Sequence, residues 1–520
     1  MNQAGRPPFD LEVNLRSLTN HPAQAIFLLA IISLVVYAVG YVVYQVWLHP
    51  LANFPGPFLG KFTEWNTILP SVRGESTRTR HAWSLEYGDV VRIGPNELLF
   101  GGIESVKDIY GQTSNPCLKD PDFYRGFTVT GANNVLNAME RVEHARIRRL
   151  LSHAFAMAEI KKTQPRLIPI MERGLDVIES SPQPVNVYDP LNHMFLDVVS
   201  ELSFDKCFNN LQGECIREAK YADDVQNISA LRGMFPFVEW LPTTYVQDAV
   251  KARPRLIQFA RSRIEDFRAR LEKGKVKEGS LLKRVVESKD ERTGEPLTDL
   301  ELMENAIIFI QAGSETSLST LLYLLYEVDT HPDIKARLVK EIREAVPNKH
   351  AFPLFETVEQ LTQKNLTQPV PSSQPFLNNV LEETLRLHGP IPVNLPRISP
   401  GKMIGGHYVP AGTRVCNLAY TTHRNPEIFP DPDSFVPDRW DNVTTEMKLA
   451  YRPFSTGPRN CIGLHLARLQ IILMVSALYA RYDLQLDKSV TPEMMIAADR
   501  GVMSPNAKTV TFHVKPRADS

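Results

Sequence analysis

The sequence predicts a mainly α-helical body with a small β-rich lobe, preceded by one apolar helix. Three observations lead there. A charge-free run from Ala23 to Leu48 is dominated by Ile, Leu, Val, Phe and Tyr. Apolar residues recur at helical spacing over most of the remaining chain, and strand signals are confined to patches near 87–100, 403–415 and 508–514. The chain has 520 residues, 43% apolar and 22% charged, the balance of a folded globular protein. Its 58 Lys and Arg offset 59 Asp and Glu with no basic tail, which argues against a nucleic-acid partner. Five cysteines without a C-x-x-C pair form no disulfide framework and point to a reducing compartment.

Taken in order, the run from Ala23 to Leu48 would reach about 39 Å as a helix, enough to cross a bilayer with tilt. Tyr37, Tyr41, Tyr44 and Trp47 crowd its second half, as an interfacial aromatic belt does. It is longer than the apolar core of a cleaved signal peptide. The expected organisation is therefore a tail at 1–22, a membrane anchor at 23–48, a Pro-rich hinge at 49–57 and a body at 58–520. Pro50 and Phe54-Pro55-Gly56-Pro57 cannot continue a helix and make a stiff elbow. Tyr87 to Pro95 reads as a strand and turn, with a second strand at Glu97 to Phe100. Thr298 and Glu301 have capping-box spacing at the start of a long helix expected from about Leu300 to Tyr326. The polar, Pro- and Ser-rich stretch from Asn365 to Pro375 reads as a surface loop.

Phe454-Ser455-Thr456-Gly457-Pro458-Arg459-Asn460-Cys461-Ile462-Gly463 is the most informative segment. A lone Cys is most often a small buried hydrophobe. Here Gly457, Pro458 and Gly463 mark a tight loop, and helical spacing follows from Leu464. Cys461 would then sit at a helix N-terminus, where the dipole and free N–H groups stabilise a thiolate. Arg459 adds a cation and Phe454 a shield from water, and a thiolate so presented suits an axial ligand to haem iron.

The segment resembles the cytochrome P450 haem-binding pattern F-x-x-G-x-R-x-C-x-G at every fixed position, and the resemblance extends along the chain. It implies the fold of that family and haem b, with Cys461 as the iron ligand. Ala312-Gly313-Ser314-Glu315-Thr316 resembles the oxygen-activation motif. There Ala312 and Gly313 would let the helix pass close to a flat cofactor, while Thr316 and Glu315 would manage protons. Glu383 and Arg386 match E-x-x-R, with Arg439 as the third member, and the resemblance makes these three supports of the cysteine loop. Arg148, Arg397 and Arg459 match propionate-binding arginines. His144 stands where the family has Trp. Substrate-facing segments are implied at Phe123 to Val135, Leu231 to Trp240, Phe309 to Gln311, Ile391 to Leu395 and Gly501 to Ser504.

The activity so implied is oxidation of a lipophilic small molecule, in the style of fungal secondary metabolism acting on terpenoids or polyketides. O₂ and NADPH-derived electrons would be used. The chain has no flavin or nicotinamide fingerprint, so the electrons would come from a separate NADPH-cytochrome reductase. The family's topology implies a single-pass protein of the endoplasmic reticulum, body in the cytosol. Two alternatives are a haem-thiolate isomerase or dehydratase, and a non-catalytic membrane-anchored haem- or sterol-binding protein.

Overall fold

A computed structural model describes residues 22–520 apart from 112–113, 219, 223, 226–227, 229–236, 360–374 and 519–520. The expected loop at 365–375 therefore lies almost wholly outside the described residues, as do 231–236 of one expected substrate-facing segment and most of the 1–22 tail.

Helix α1 (Pro22–Val43) continues into a wider π-type turn at Tyr44–Leu48. The apolar stretch Ile26–Leu48 is long enough to span a membrane and none of its most apolar window is buried by the body. Leu464–Arg481 passes the same length and composition test, yet 67% of it is buried. Burial separates the two: one is a candidate membrane span, the other a core helix.

The end of the apolar stretch is fastened to the body. Gln45 is buried, and its Oε1 and backbone carbonyl accept hydrogen bonds from Arg92 at 2.6 and 3.0 Å. Arg92, fully buried, also donates to Pro95 O at 2.8 Å. Tyr41 donates its hydroxyl to Phe62 O at 3.0 Å. The Pro-rich elbow continues the attachment, since Arg92 N–H donates to Pro55 O at 2.7 Å. Gly56 lies so close to this strand that a Cβ would meet Arg92 O at 2.3 Å.

The β lobe is a mixed sheet of β1 (Val90–Gly94), β2 (Glu97–Phe100), β3 (Leu118–Lys119), β4 (Arg397–Ile398) and β5 (Arg414–Asn417), in the order β1-β2-β5-β4-β3. β1 and β2 are buried at every residue, because apolar clusters cover both faces. The pairs Lys119↔Arg397 and Arg397↔Val415 carry the register from β3 through β4 to β5. The strand expected near 508–514 is Thr511–Pro516, in a second sheet with Tyr482–Leu486 and Val185–Asn186.

The helical body is built on α2 (Arg141–Ser152), α3 (Tyr188–Phe204), α4 (Thr244–Glu272), α5 (Asp299–Gly313), α6 (Glu315–Thr330), α7 (Phe376–His388) and α8 (Leu464–Arg481). One large apolar cluster joins them. The expected capping box forms: Thr298 Oγ1 accepts from Glu301 N, and Glu301 Oε2 accepts from Thr298 N at 2.8 Å. The single helix expected over Leu300 to Tyr326 is instead two, broken at Ser314 and reaching Thr330. Four hydroxyls compete with the ladder at the break. Ser314, Thr316, Ser317 and Thr320 each donate to the carbonyl four residues back, at 2.8–3.1 Å. At α7 the orphan N–H groups of Phe376 and Leu377 donate to the Glu341 carboxylate at 2.8 and 2.9 Å, a cap borrowed from another helix.

Because Gln45 is clasped by the buried Arg92 guanidinium, whereas Tyr41 gives the body one hydroxyl bond to a backbone carbonyl, two truncations should differ. Removing residues through Val43 should leave a stable body. Removing them through Leu48 leaves the Arg92 guanidinium buried without Gln45, at a cost on the order of 3 kcal/mol. Denaturant unfolding of the two soluble forms checks this; equal stabilities would show that the clasp carries no load.

Candidate functional site

The Cys461 loop is closed by Cys461 N donating to Phe454 O at 3.0 Å, with Asn460 N donating to Gly457 O at 3.2 Å inside it. Gly457 has a φ of +74°, and a Cβ there would stand 2.1 Å from Tyr110 O. No side chain fits. Gly463 then caps α8, and the N–H groups of Gly463 and Leu464 point at the sulfur. Phe454 packs on the main core cluster.

Cys461 is exposed, yet burial is the largest influence on its thiol and raises its pKa; a bond from Gly463 N–H, the Arg148 charge and a bond from Leu464 N–H oppose it. Exposure together with desolvation belongs to a side chain facing an enclosed space. The nearby cation expected from sequence was Arg459, but Arg148 is the one that acts on the thiol. Its guanidinium donates to Asn460 O and Oδ1 at 2.7 and 2.5 Å, steadying the residue before the cysteine.

Arg459 turns away, donating to Ala138 O at 3.1 Å and Met139 O at 2.8 Å. Arg397 donates to Leu395 O and Pro396 O at 3.1 and 3.0 Å and to the Tyr124 hydroxyl, and lies over the Tyr110 and Tyr124 rings. His144 is buried on α2. A fifth group joins them that sequence reasoning missed. Lys119, the register partner of Arg397, is 3% exposed and donates to Leu136 O and Ala138 O at 2.6 and 2.9 Å.

These cations lean on backbone carbonyls, an asparagine and a tyrosine, and they repel one another. Burial, then Arg459, Arg397 and Arg148, bring Lys119 down to about 6. His144 is held at about 3 by burial and then by the same neighbours with Lys119, so it is neutral at pH 7. Burial and Arg397 take Arg459 down to about 10. Three guanidinium groups beside Lys119, with no carboxylate among the hydrogen-bond partners of the four in the described residues, suit an anionic ligand. The two propionates of haem meet that description, and a Cys sulfur on helix N–H groups beside them meets the iron's need. The donor set fits the group.

Ala312, next to the last residue of α5, is exposed between half-buried neighbours, and Thr316 donates its hydroxyl to Ala312 O at 2.8 Å. Gly313, expected to face the same way, does not. Its missing Cβ makes room for α3, where Val199 Cγ2 would be 3.1 Å away, so its smallness serves helix packing. Burial raises the Glu315 carboxyl, with Lys508 acting the other way. α6 packs on α8, tying this turn to the helix that begins behind Cys461.

Glu383, Arg386 and Arg439 come together as expected. Arg386 makes a two-pronged pair with Glu383 at 2.9 and 2.8 Å. Arg439 Nε, Trp440 Nε1 and Val436 N each donate to the same carboxylate at 2.9 Å. Arg386 also donates to the carbonyls of His423, Pro432 and Ser434. His423, fully desolvated and held neutral at about 3 by burial and then by Arg424 and Arg386, extends the network. Its Nδ1 faces Arg386 O at 3.2 Å, and its Nε2 accepts from Arg452 N at 2.9 Å, two residues before Phe454. Nothing in sequence marked it.

Residues 55–512 match the family model described as Cytochrome P450. The fusicoccadiene 8-ol C-16 hydroxylase of Alternaria brassicicola is 30% identical over 479 residues, 88% of this chain and 92% of that protein. The averantin hydroxylase of Dothistroma septosporum is 30% identical over 491 residues, 92% of this chain and 88% of that protein. A cytochrome P450 monooxygenase of Aspergillus niger is 31% identical over 456 residues, 85% of this chain and 88% of that protein.

Replacing Glu383 by Gln leaves two buried guanidinium groups without their counter-charge, so unfolding free energy should fall by about 3–5 kcal/mol. The exposed pair Lys340–Glu344 provides the contrast, and Glu344→Gln should be nearly silent in the same denaturation experiment. Equal effects would remove the network from its supporting role.

Proposed function

This chain belongs to the cytochrome P450 family and is a haem-dependent monooxygenase of the kind found in fungal secondary metabolism, and from that premise we propose how its residues divide the work and what it acts on. The observation that carries the assignment of roles is the cluster of Arg148, Arg397 and Arg459 with Lys119, to which no acid is bonded among the described residues, beside a Cys held on helix N–H groups.

Cys461 would hold the iron, with Gly463 and Leu464 N–H groups and Arg148 favouring its thiolate. Arg148, Arg397 and Arg459 would hold the propionates. His144, neutral, would offer one N–H. Bound haem supplies the oxidising chemistry, in which one atom of O₂ enters the substrate and the other leaves as water. Across from that chemistry the exposed Ala312 leaves space, and the Thr316 hydroxyl, already donating to Ala312 O, offers its oxygen lone pairs to a water. Glu315, whose carboxyl is shifted upward by burial, lies within the same turn and would relay protons. This hydroxyl and acid favour a monooxygenase over a peroxide isomerase, which needs no proton delivery to O₂.

The substrate is a lipophilic molecule, of terpenoid or polyketide type. Electrons come from NADPH through a separate reductase, since the chain lacks nucleotide fingerprints. The apolar stretch Ile26–Leu48 anchors the protein in the endoplasmic reticulum with the body in the cytosol. NADPH oxidation on adding a reductase, dependent on substrate, tests the redox partner.

Reduced protein treated with carbon monoxide should show the red-shifted Soret band of thiolate ligation, and Cys461→Ser should lose it; a variant that keeps the band overturns the assignment. Thr316→Ala should take up haem normally, because Ala is the better helix former. NADPH consumption should continue while product per NADPH falls and hydrogen peroxide rises, with Thr316→Ser near wild type. A fully coupled Thr316→Ala enzyme would exclude the hydroxyl from proton delivery.

A further inference from the structure

Glu304 lies on α5 and is 1% exposed. A carboxylate this deep requires several donors or a cation. Among the described residues, every hydrogen-bond donor it meets comes from one loop between the β lobe and α2. Oε1 accepts from Val129 N at 2.7 Å and from Asn134 Nδ2 at 3.4 Å. Oε2 accepts from Thr130 N and Thr130 Oγ1, both at 2.5 Å. One residue on, Asn305 Oδ1 accepts from Val135 N at 3.0 Å while its Nδ2 donates to Glu301 O at 2.8 Å. From the far side Arg253 on α4 donates to Val129 O and Thr128 O at 3.0 and 3.1 Å. The loop is also stiff in itself, since Asn134 and Asn137 exchange bonds at 2.6 and 2.7 Å.

The position of this loop bears on the site at both ends. Asn305 and Ala312 are seven residues apart on α5, so they share a face roughly 10 Å apart along the axis. The loop is thus held against the face that carries Ala312. At its other end Leu136 O, and just beyond it Ala138 O and Met139 O, are the carbonyls on which Lys119 and Arg459 rest. We propose that Glu304, with Asn305, is a positioning residue that pins the 128–137 loop over the substrate space and thereby sets the size of molecule admitted next to Ala312. Carboxylate is needed here because four donors converge on it. An amide in its place would turn an N–H toward an N–H and release one side of the loop.

This inference rests on the reading of the Ala312 face as the place of oxidation. Its test uses haem-loaded full-length protein and nitrogen ligands that bind iron and move the Soret band. Imidazole, 4-phenylimidazole and a biphenylyl imidazole form a size series. Wild type should bind them with a steep size dependence. Glu304→Gln should flatten that dependence by about fivefold between smallest and largest, with imidazole affinity itself unchanged. Asn305→Ala, which leaves the buried carboxylate in place, should move it the same way and serves where the first variant folds poorly. Glu201→Gln is the control for lost stability alone. Glu201, on α3, is also buried, but its carboxylate pairs with Arg166 at 2.8 Å and not with the loop. It should keep the wild-type size dependence. If both loop variants keep it too, or the control changes as much as they do, Glu304 does not position the loop for selection. Wild-type protein that carries haem but gives no shift with imidazole would overturn the site reading itself, and this inference with it.

Discussion

Glu383 has no access to solvent and accepts from the two prongs of Arg386, from Arg439, from the Trp440 ring and from Val436 N. A lone buried ion pair repays its desolvation poorly, and apolar replacements are often as stable. What the pair does here is fix geometry. Arg386 spends its remaining N–H groups on carbonyls of the meander, and His423 passes the constraint to Arg452, from which the chain enters the Cys461 loop. A loop with Ser455 at positive φ and Gly457 pressed on Tyr110 has no ladder of its own to hold it. Its shape is borrowed from the ion network behind it.

The cation cluster obeys the same electrostatics with the opposite outcome. Around Glu383 each buried charge is answered by another. Around Lys119, Arg148, Arg397 and Arg459 the described residues bond no carboxylate, and Lys119, His144 and Arg459 are shifted down by burial and by their cationic neighbours. Self-repulsion of that kind destabilises the protein alone and would be relieved by a bound anion. One arrangement is neutralised from within and the other is not, and the difference lies in whether the described residues supply the carboxylate.

α5 and α6 show how one long helix serves several masters. Its start is set locally by the Thr298 box. Its middle gives Glu304 and Asn305 to a loop, Gly313 to α3 and Ala312 to the site. At Ser314 the ladder breaks, where hydroxyls compete for its carbonyls. Each demand falls on a different face, which a helix can meet because adjacent residues point about 100° apart.

Much of this was legible in the chain itself. The apolar run, the Thr298–Glu301 cap, the strands at 90–94 and 97–100 and the loop around Cys461 depend on composition and on spacings of a few residues, so local chemistry determines them. The resemblance carried by the cysteine segment also placed Glu383, Arg386 and Arg439 together, as they are found. Tertiary structure alone decided the rest. Lys119 joins the cations only because β3 pairs with β4 across nearly 280 residues. Gly313 turns from the site because α3 crosses it, Arg148 in place of Arg459 acts on the thiol, and Gln45 belongs to the body because Arg92 reaches it. Periodicity reveals which face of an element is apolar, but a buried polar group is satisfied by whatever packing brings within about 3 Å, and partners hundreds of residues away leave no local trace in sequence.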